Sequence, residues 1–164
     1  MKKYSIPLIL AMIVSFTFSC KETKEKEIVT EEIKFTKEAS LSLYQVTDSV
    51  PVSIVNLEIE IADNDYERQT GLMYRTDMKE KQGMLFICEA YEPQSFYMKN
   101  TLLPLDIIYI DEGFKIVSFQ KNAKPLDESS LPSGKPAKYV LEINAGLADQ
   151  WKLSVGDSIS YQLQ

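Results

Sequence analysis

SFYMKNTLLPLDIIYID, Ser95–Asp111, is the stretch on which the fold reading turns. Most of it is apolar or aromatic, with a break at Pro104 where two strands would be joined by a turn. Lys99 and Asp106 are the exceptions, and charges in such company are costly unless paired. Folded as an antiparallel hairpin centred between Leu102 and Leu103, the stretch sets Lys99 opposite Asp106, Tyr97 opposite Ile108 and Ser95 opposite Ile110 on one face. The two charges then neutralise each other. Pro104 suits the connection, because it has no amide to give a central ladder.

Outward from this segment, short apolar runs alternate with turn signals. In VNLEIEIAD, Val55, Leu57, Ile59 and Ile61 alternate with polar residues, which predicts a strand with one wet face. NDYERQTG predicts a short helix, capped by Asn64, supported by Glu67 three residues on and closed by Gly71. GMLFIC, GFKIVSFQ, KYVLEIN and LSVGDSISYQL predict further strands, with a turn at Gly156 in the last. NAKPLDESSLPSGKPA, with three prolines, predicts a loop, and AGLADQW one or two helical turns. About seven short strands and one or two brief helices define a mainly β fold: a compact single-domain sandwich or barrel-like structure.

The chain resembles the bacterial and archaeal domain of unknown function, family 192. The resemblance is carried by GLMYR (Gly71–Arg75), GMLF (Gly83–Phe86), the opening stretch, YVLEINAG (Tyr139–Gly146) and LSVGD (Leu153–Asp157), over roughly the last two thirds of the chain. Tyr97 stands where the family commonly has tryptophan. The resemblance implies a compact, mainly β domain, often exported or lipid-anchored, and implies no activity.

The N-terminus reads Lys2, Lys3, an apolar run from Ile6 to Phe18, then Thr-Phe-Ser-Cys. The run is short for a membrane span and suits a secretory signal. A cysteine after a small residue here resembles a bacterial lipoprotein signal, with Thr17 and Phe18 departing from the usual pattern. The resemblance implies cleavage before Cys20 and lipidation of Cys20. Residues 1–19 are thus expected as signal peptide, 20–40 as a charged flexible tether spanning roughly 25 Å, and 41–164 as the β domain. The expected location is the cell envelope, anchored in a membrane and facing the periplasm or the exterior. With Cys20 lipidated, Cys88 has no disulfide partner and is expected as a small buried hydrophobe.

Eighteen Lys plus Arg against 24 Asp plus Glu give a net charge of −6, which argues against nucleic acid as a partner. The chain has no histidine, which removes the commonest general base and metal ligand. No cofactor and no metal site are implied; the methionines among apolar strands are expected in the core. Asp106 and Asp111 fall on opposite faces of a regular strand, so they do not form a glycosidase pair. Asn144 is expected to end a strand and cap the next turn. The candidate ligand site is Arg75, Lys99 and Asn100, with Asp106 paired to Lys99. Arg, Lys and Asn converging would bind a small anionic or polar ligand.

Three functions follow. One is a non-enzymatic envelope module that binds a small polar or anionic ligand or an envelope protein. The second is a histidine-free hydrolase or transferase with Lys99 as base and Asp106 or Asn100 orienting it. The third is a purely structural or assembly lipoprotein. Cys20→Ser is expected to release the protein from membranes; fractionation showing unchanged retention would remove the anchor.

Overall fold

The computed structural model describes residues 33–46 and 50–164; the leader, Cys20 and most of the tether lie outside the described residues. Seven strands and two short helices follow one another: β1 (Ala39–Gln45), β2 (Val52–Ala62), α1 (Asp65–Thr70), β3 (Gln82–Phe96), β4 (Leu105–Ile110), β5 (Ile116–Ala123), β6 (Leu131–Asn144), α2 (Leu147–Gln150) and β7 (Ser158–Leu163). All seven belong to one sheet in the order β5-β4-β6-β3-β2-β1-β7. Every pairing is antiparallel except β2 with β3, which are joined by α1 and run parallel. The mainly β class is as expected, realised as one curled sheet.

The two edge strands meet at one end. Lys115 bridges Ser158, Ile116 N–H donates to Asp157 O at 2.8 Å, and Ile159 N–H donates to Phe114 O at 2.9 Å. The sheet therefore curls into a half-barrel, and much of its edge hazard is removed by closure. Strand alternation then sorts the apolar residues into two cores. Leu41, Leu57, Leu85, Ile108, Leu141, Ile143 and Ile159 fill the concave inside. Met84, Phe86, Leu105, Ile107, Tyr109 and Val140 form a second core on the outer face of β3, β6 and β4, covered by Leu72, Met78 and Met98 from the connecting segments.

Local signals around α1 act as read. Asn64 Oδ1 accepts from Glu67 N–H at 3.0 Å, and Gly71 N–H donates to Glu67 O at 2.8 Å. β1 begins at Ala39, and Glu38 and Thr36 already bond to Ile59 and Glu60, so the sheet reaches into the stretch read as tether. Gly83 lets β3 lie tight on β6: a Cβ there would sit 2.7 Å from the Glu142 carbonyl oxygen.

Two expectations are corrected. The proline-rich loop is half strand, because β6 runs from Leu131 through Pro132, Gly134 and Pro136, pairing with the distal end of β3 across irregularities in register. The hairpin does not form. β3 ends at Phe96, residues 97–104 make an irregular connection, and β4 pairs with β5 and β6. The apolar residues of the connection serve as a lid on the outer core, with Met98 at 1% exposure, rather than as a strand. Lys99 is exposed and has no ion pair among the described residues.

Asp106 is wholly buried and satisfied by backbone. Its Oδ1 accepts from Asn122 N–H at 2.8 Å and its Oδ2 from Ala148 N–H at 2.9 Å, tying β4 to the end of β5 and to α2. Each buried amide stranded by loss of its acceptor costs about 1–3 kcal/mol. Asp106→Leu is therefore expected to lower urea-unfolding stability by about 2–5 kcal/mol. Lys99→Met is expected to change it by no more than about 0.5 kcal/mol. Equal losses would restore the ion pair.

Candidate functional site

Of the residues nominated from sequence, Arg75 turns into the fold and meets Glu60, Nη2 to Oε2 at 2.8 Å, with both side chains about nine-tenths buried. Glu60 Oε1 also accepts from Thr36 N–H at 2.9 Å. Asn100 stands in a left-handed turn with φ 55°, its carbonyl accepting from Tyr74 N–H at 2.8 Å and its Nδ2 lying 4.0 Å from Met73 Sδ. Lys99 is exposed, and Asp106 is buried against α2. Arg75 is thus engaged with an acid and Lys99 stands in solvent; they do not form a cationic cradle with Asn100. Asn144 ends β6 as expected, but its Nδ2 donates to Met78 O at 2.7 Å and pins the segment before β3 rather than the next turn.

A different site is present on the outer face. A cavity of about 190 Å³ opens between the end of α1, the middle and distal parts of β3, and the 97–104 connection. Its walls are Arg68, Gln69, Thr70, Gly71, Leu72, Met73, Phe86, Ser95, Phe96, Tyr97 and Thr101, and Glu142 of β6 completes the lining. Gly71 is required here twice over. Its φ of 45° ends α1, and a Cβ would fall 2.8 Å from the Phe86 ring. Phe86 and Phe96 meet edge to face at 5.0 Å between centroids, the geometry their quadrupoles favour.

Glu142 is the unusual member. Across the sheet it faces Met84 of β3 and Ile107 of β4, both buried and apolar. Its residue is 5% exposed, and among the described residues no hydrogen bond or ion pair meets its carboxyl. Burial therefore penalises the charged form and pushes the pKa up to about 8. Nearby, burial and the Glu142 charge together raise the Tyr109 phenol, whose O–H donates to Leu131 O. Cys88 is a buried free thiol, raised by burial against the opposing pull of Lys138 and Arg68.

The Thr70, Ser95 and Thr101 hydroxyls at the cavity are engaged away from the acid. Thr101 Oγ1 donates to Lys99 O at 3.3 Å, and Ser95 Oγ lies 2.8 Å from Ser130 Oγ. Arg68 Nη2 pairs with Asp65 at 2.5 Å and Glu89 at 3.3 Å. Among the described residues no group of three or more acids, cysteines or histidines gathers to hold a metal, and no helix is long and apolar enough to cross a membrane.

Glu142 was legible only in part. In KYVLEIN it is the one acid in an apolar run, but the sequence does not say that both faces of that strand are covered.

Fold and site together define a half-barrel domain with a buried acid at an aromatic and polar cavity on its outer face. The chain belongs to the DUF192 family, described as an uncharacterized ACR, whose model matches residues 47–161. It is 27% identical over 106 residues to a UPF0127 protein of Thermococcus sibiricus, covering 65% of this chain and 67% of that one. Its fold is similar to the crystal structure of a protein of unknown function from Novosphingobium aromaticivorans, at 32% identity and TM-score 0.67 over 74% of this chain and 83% of that one. A Sinorhizobium meliloti protein, proposed to be a transcription regulator, is similar at 36% identity and TM-score 0.70, over 79% of this chain and 97% of that one.

The raised Glu142 pKa fixes a pH dependence. Between the ordinary carboxylate value of 4.5 and about 8 the folded protein holds a proton that the unfolded chain has lost. Stability is therefore full below the lower value and falls as pH rises through the window, by up to about 1.4 kcal/mol per pH unit. Glu142→Gln is expected to flatten this slope and to be the more stable form at pH 8. Urea titrations at pH 5, 6.5 and 8 check it; parallel profiles for the two proteins would contradict it.

Proposed function

We propose that this protein is a membrane-anchored, non-enzymatic binding module of the cell envelope that takes a small molecule in the Glu142 cavity. One observation carries the binding role: an unpartnered, nine-tenths buried carboxyl lining a cavity with aromatic walls. Isolated buried acids destabilise a fold and are kept where they have a task, so perturbed groups in clefts mark functional sites. The wall combines Leu72, Met73, Phe86, Phe96 and Tyr97 with the polar Arg68, Gln69, Thr70, Ser95, Thr101 and Glu142, so it offers apolar contact together with polar groups that can orient a small molecule. The lipoprotein-like leader and Cys20 support the anchor and the envelope location.

Binding is favoured over catalysis by the company Glu142 keeps. A carboxyl protonated near neutral pH suits a general acid. Hydrolysis or transfer also needs a nucleophile or a base, however, and the Thr70, Ser95 and Thr101 hydroxyls at the cavity are bonded elsewhere. Lys99 is exposed and is not part of the cavity lining.

A fragment screen on the full chain by amide NMR tests the reading. Hits are expected to move the resonances of Phe86, Phe96 and Thr101 and to compete with one another. Hits confined to other surfaces, or none from several hundred soluble fragments, would remove the cavity as a binding site.

A further inference from the structure

We infer that the ligand of the Glu142 cavity is a small organic cation, an ammonium group on a compact apolar body, held by the Glu142 carboxylate with the rings of Phe86, Phe96 and Tyr97 around it. This rests on the cavity being a binding site and goes further by naming the ligand's charge.

Three observations on the described residues point to a cation. First, the acid has no partner of its own. Arg68 is the one basic residue in the cavity lining, and its guanidinium is bonded to Asp65, Glu89, Asp63 O and Ile87 O. Second, a neighbouring cavity of about 310 Å³ shares Arg68, Phe86 and Phe96 with the first and adds Asp65, Glu89 and Glu92. The joined surface thus presents Asp65, Glu89 and Glu92 against Arg68, which pairs with the first two, so it carries a net negative charge before Glu142 ionises, a field that attracts cations and repels anions. Third, the walls are aromatic, and ring faces attract an ammonium group most strongly where water is excluded.

Binding is coupled to a proton. The groups around Glu142 are Met84 of β3 and Ile107 of β4 across the sheet, Tyr109 of β4, and, at the cavity, Phe86 of β3 and Arg68 of α1. Of these only Arg68 is charged at neutral pH, and it is paired. Without a countercharge, the site therefore holds the neutral acid near pH 7. A cation entering favours the carboxylate, and the carboxyl proton leaves to solvent. Affinity for a permanently charged ligand must then rise with pH, by up to tenfold per unit, and level off above about 8.

Three probes of similar bulk test this on the full chain by amide NMR titration at pH 6, 7 and 8: tetramethylammonium, tert-butanol and pivalate. Tetramethylammonium is expected to move Phe86, Phe96 and Thr101 and to bind at least tenfold tighter at pH 8 than at pH 6. Glu142→Gln is expected to lose that pH dependence, and Phe96→Leu to weaken tetramethylammonium while leaving tert-butanol unchanged. Should Glu142→Gln misfold, the pH slope of the unaltered protein and the Phe96→Leu contrast still decide. If tert-butanol or pivalate binds as well as tetramethylammonium, or if affinity for the cation is flat with pH, the cation is overturned while the cavity stands as a binding site. If none of the three moves the cavity but other fragments do, the cation is again overturned; if no fragment does, both readings fall together.

Discussion

Strand β6 lies between β3 and β4 and is hydrogen-bonded to both, so its alternation is fixed from two sides at once. A slip of one residue would send Leu141 and Ile143 out of the concave core and bring Val140 and Glu142 into it. The tight approach at Gly83, where a Cβ would meet the Glu142 carbonyl, belongs to the same constraint. Closure of the half-barrel, the outer core and the position of the cavity all depend on this central ladder.

Three buried acids show how differently one fold can treat a carboxylate. Asp106 is enclosed by two backbone N–H donors and works as a clamp between β4, β5 and α2. Glu60 shares its burial with Arg75, and a guanidinium stands in for the lost water. Glu142 has neither. A carboxyl without compensation answers by holding its proton, and the folded state carries the cost of doing so as pH rises. On the proposed reading, that cost is what makes the site responsive: a ligand that supplies the missing countercharge stabilises the domain and releases the proton together.

The lid over the outer core is built from irregular backbone rather than strand. Tyr74, Asn100 and Leu126 all take left-handed conformations, and hydrogen bonds from Tyr74 N–H to Asn100 O and from Leu126 N–H to Thr101 O tie their loops together. Such conformations are costly for bulky residues and persist only where surroundings over-determine them. Here they let the 97–104 connection bury Met98 while leaving Tyr97 and Thr101 at the cavity.

Local patterning determined the elements whose signals are short in range. The α1 cap at Asn64, its stop at Gly71 and the turn at Gly156 need only a few neighbouring residues, and each forms as the sequence alone implies; the alternation in β2 holds from Val55 to Ile59 but fails at Glu60, which Arg75 draws into the fold. The succession of short apolar runs and turn signals carried the mainly β class, and the family motifs agreed with it. Partnership was another matter. The apolar run around Lys99 reads like half a hairpin, because a covered loop and a strand both need apolar side chains. Only the sheet order assigns β4 to β5 and β6, gives Asp106 its backbone partners and leaves Lys99 in solvent. Glu142 is the same case in reverse: the chain shows an acid in a strand, but whether that acid meets bulk water, a countercharge or a cavity is fixed by segments distant in sequence that only the folded sheet brings over it.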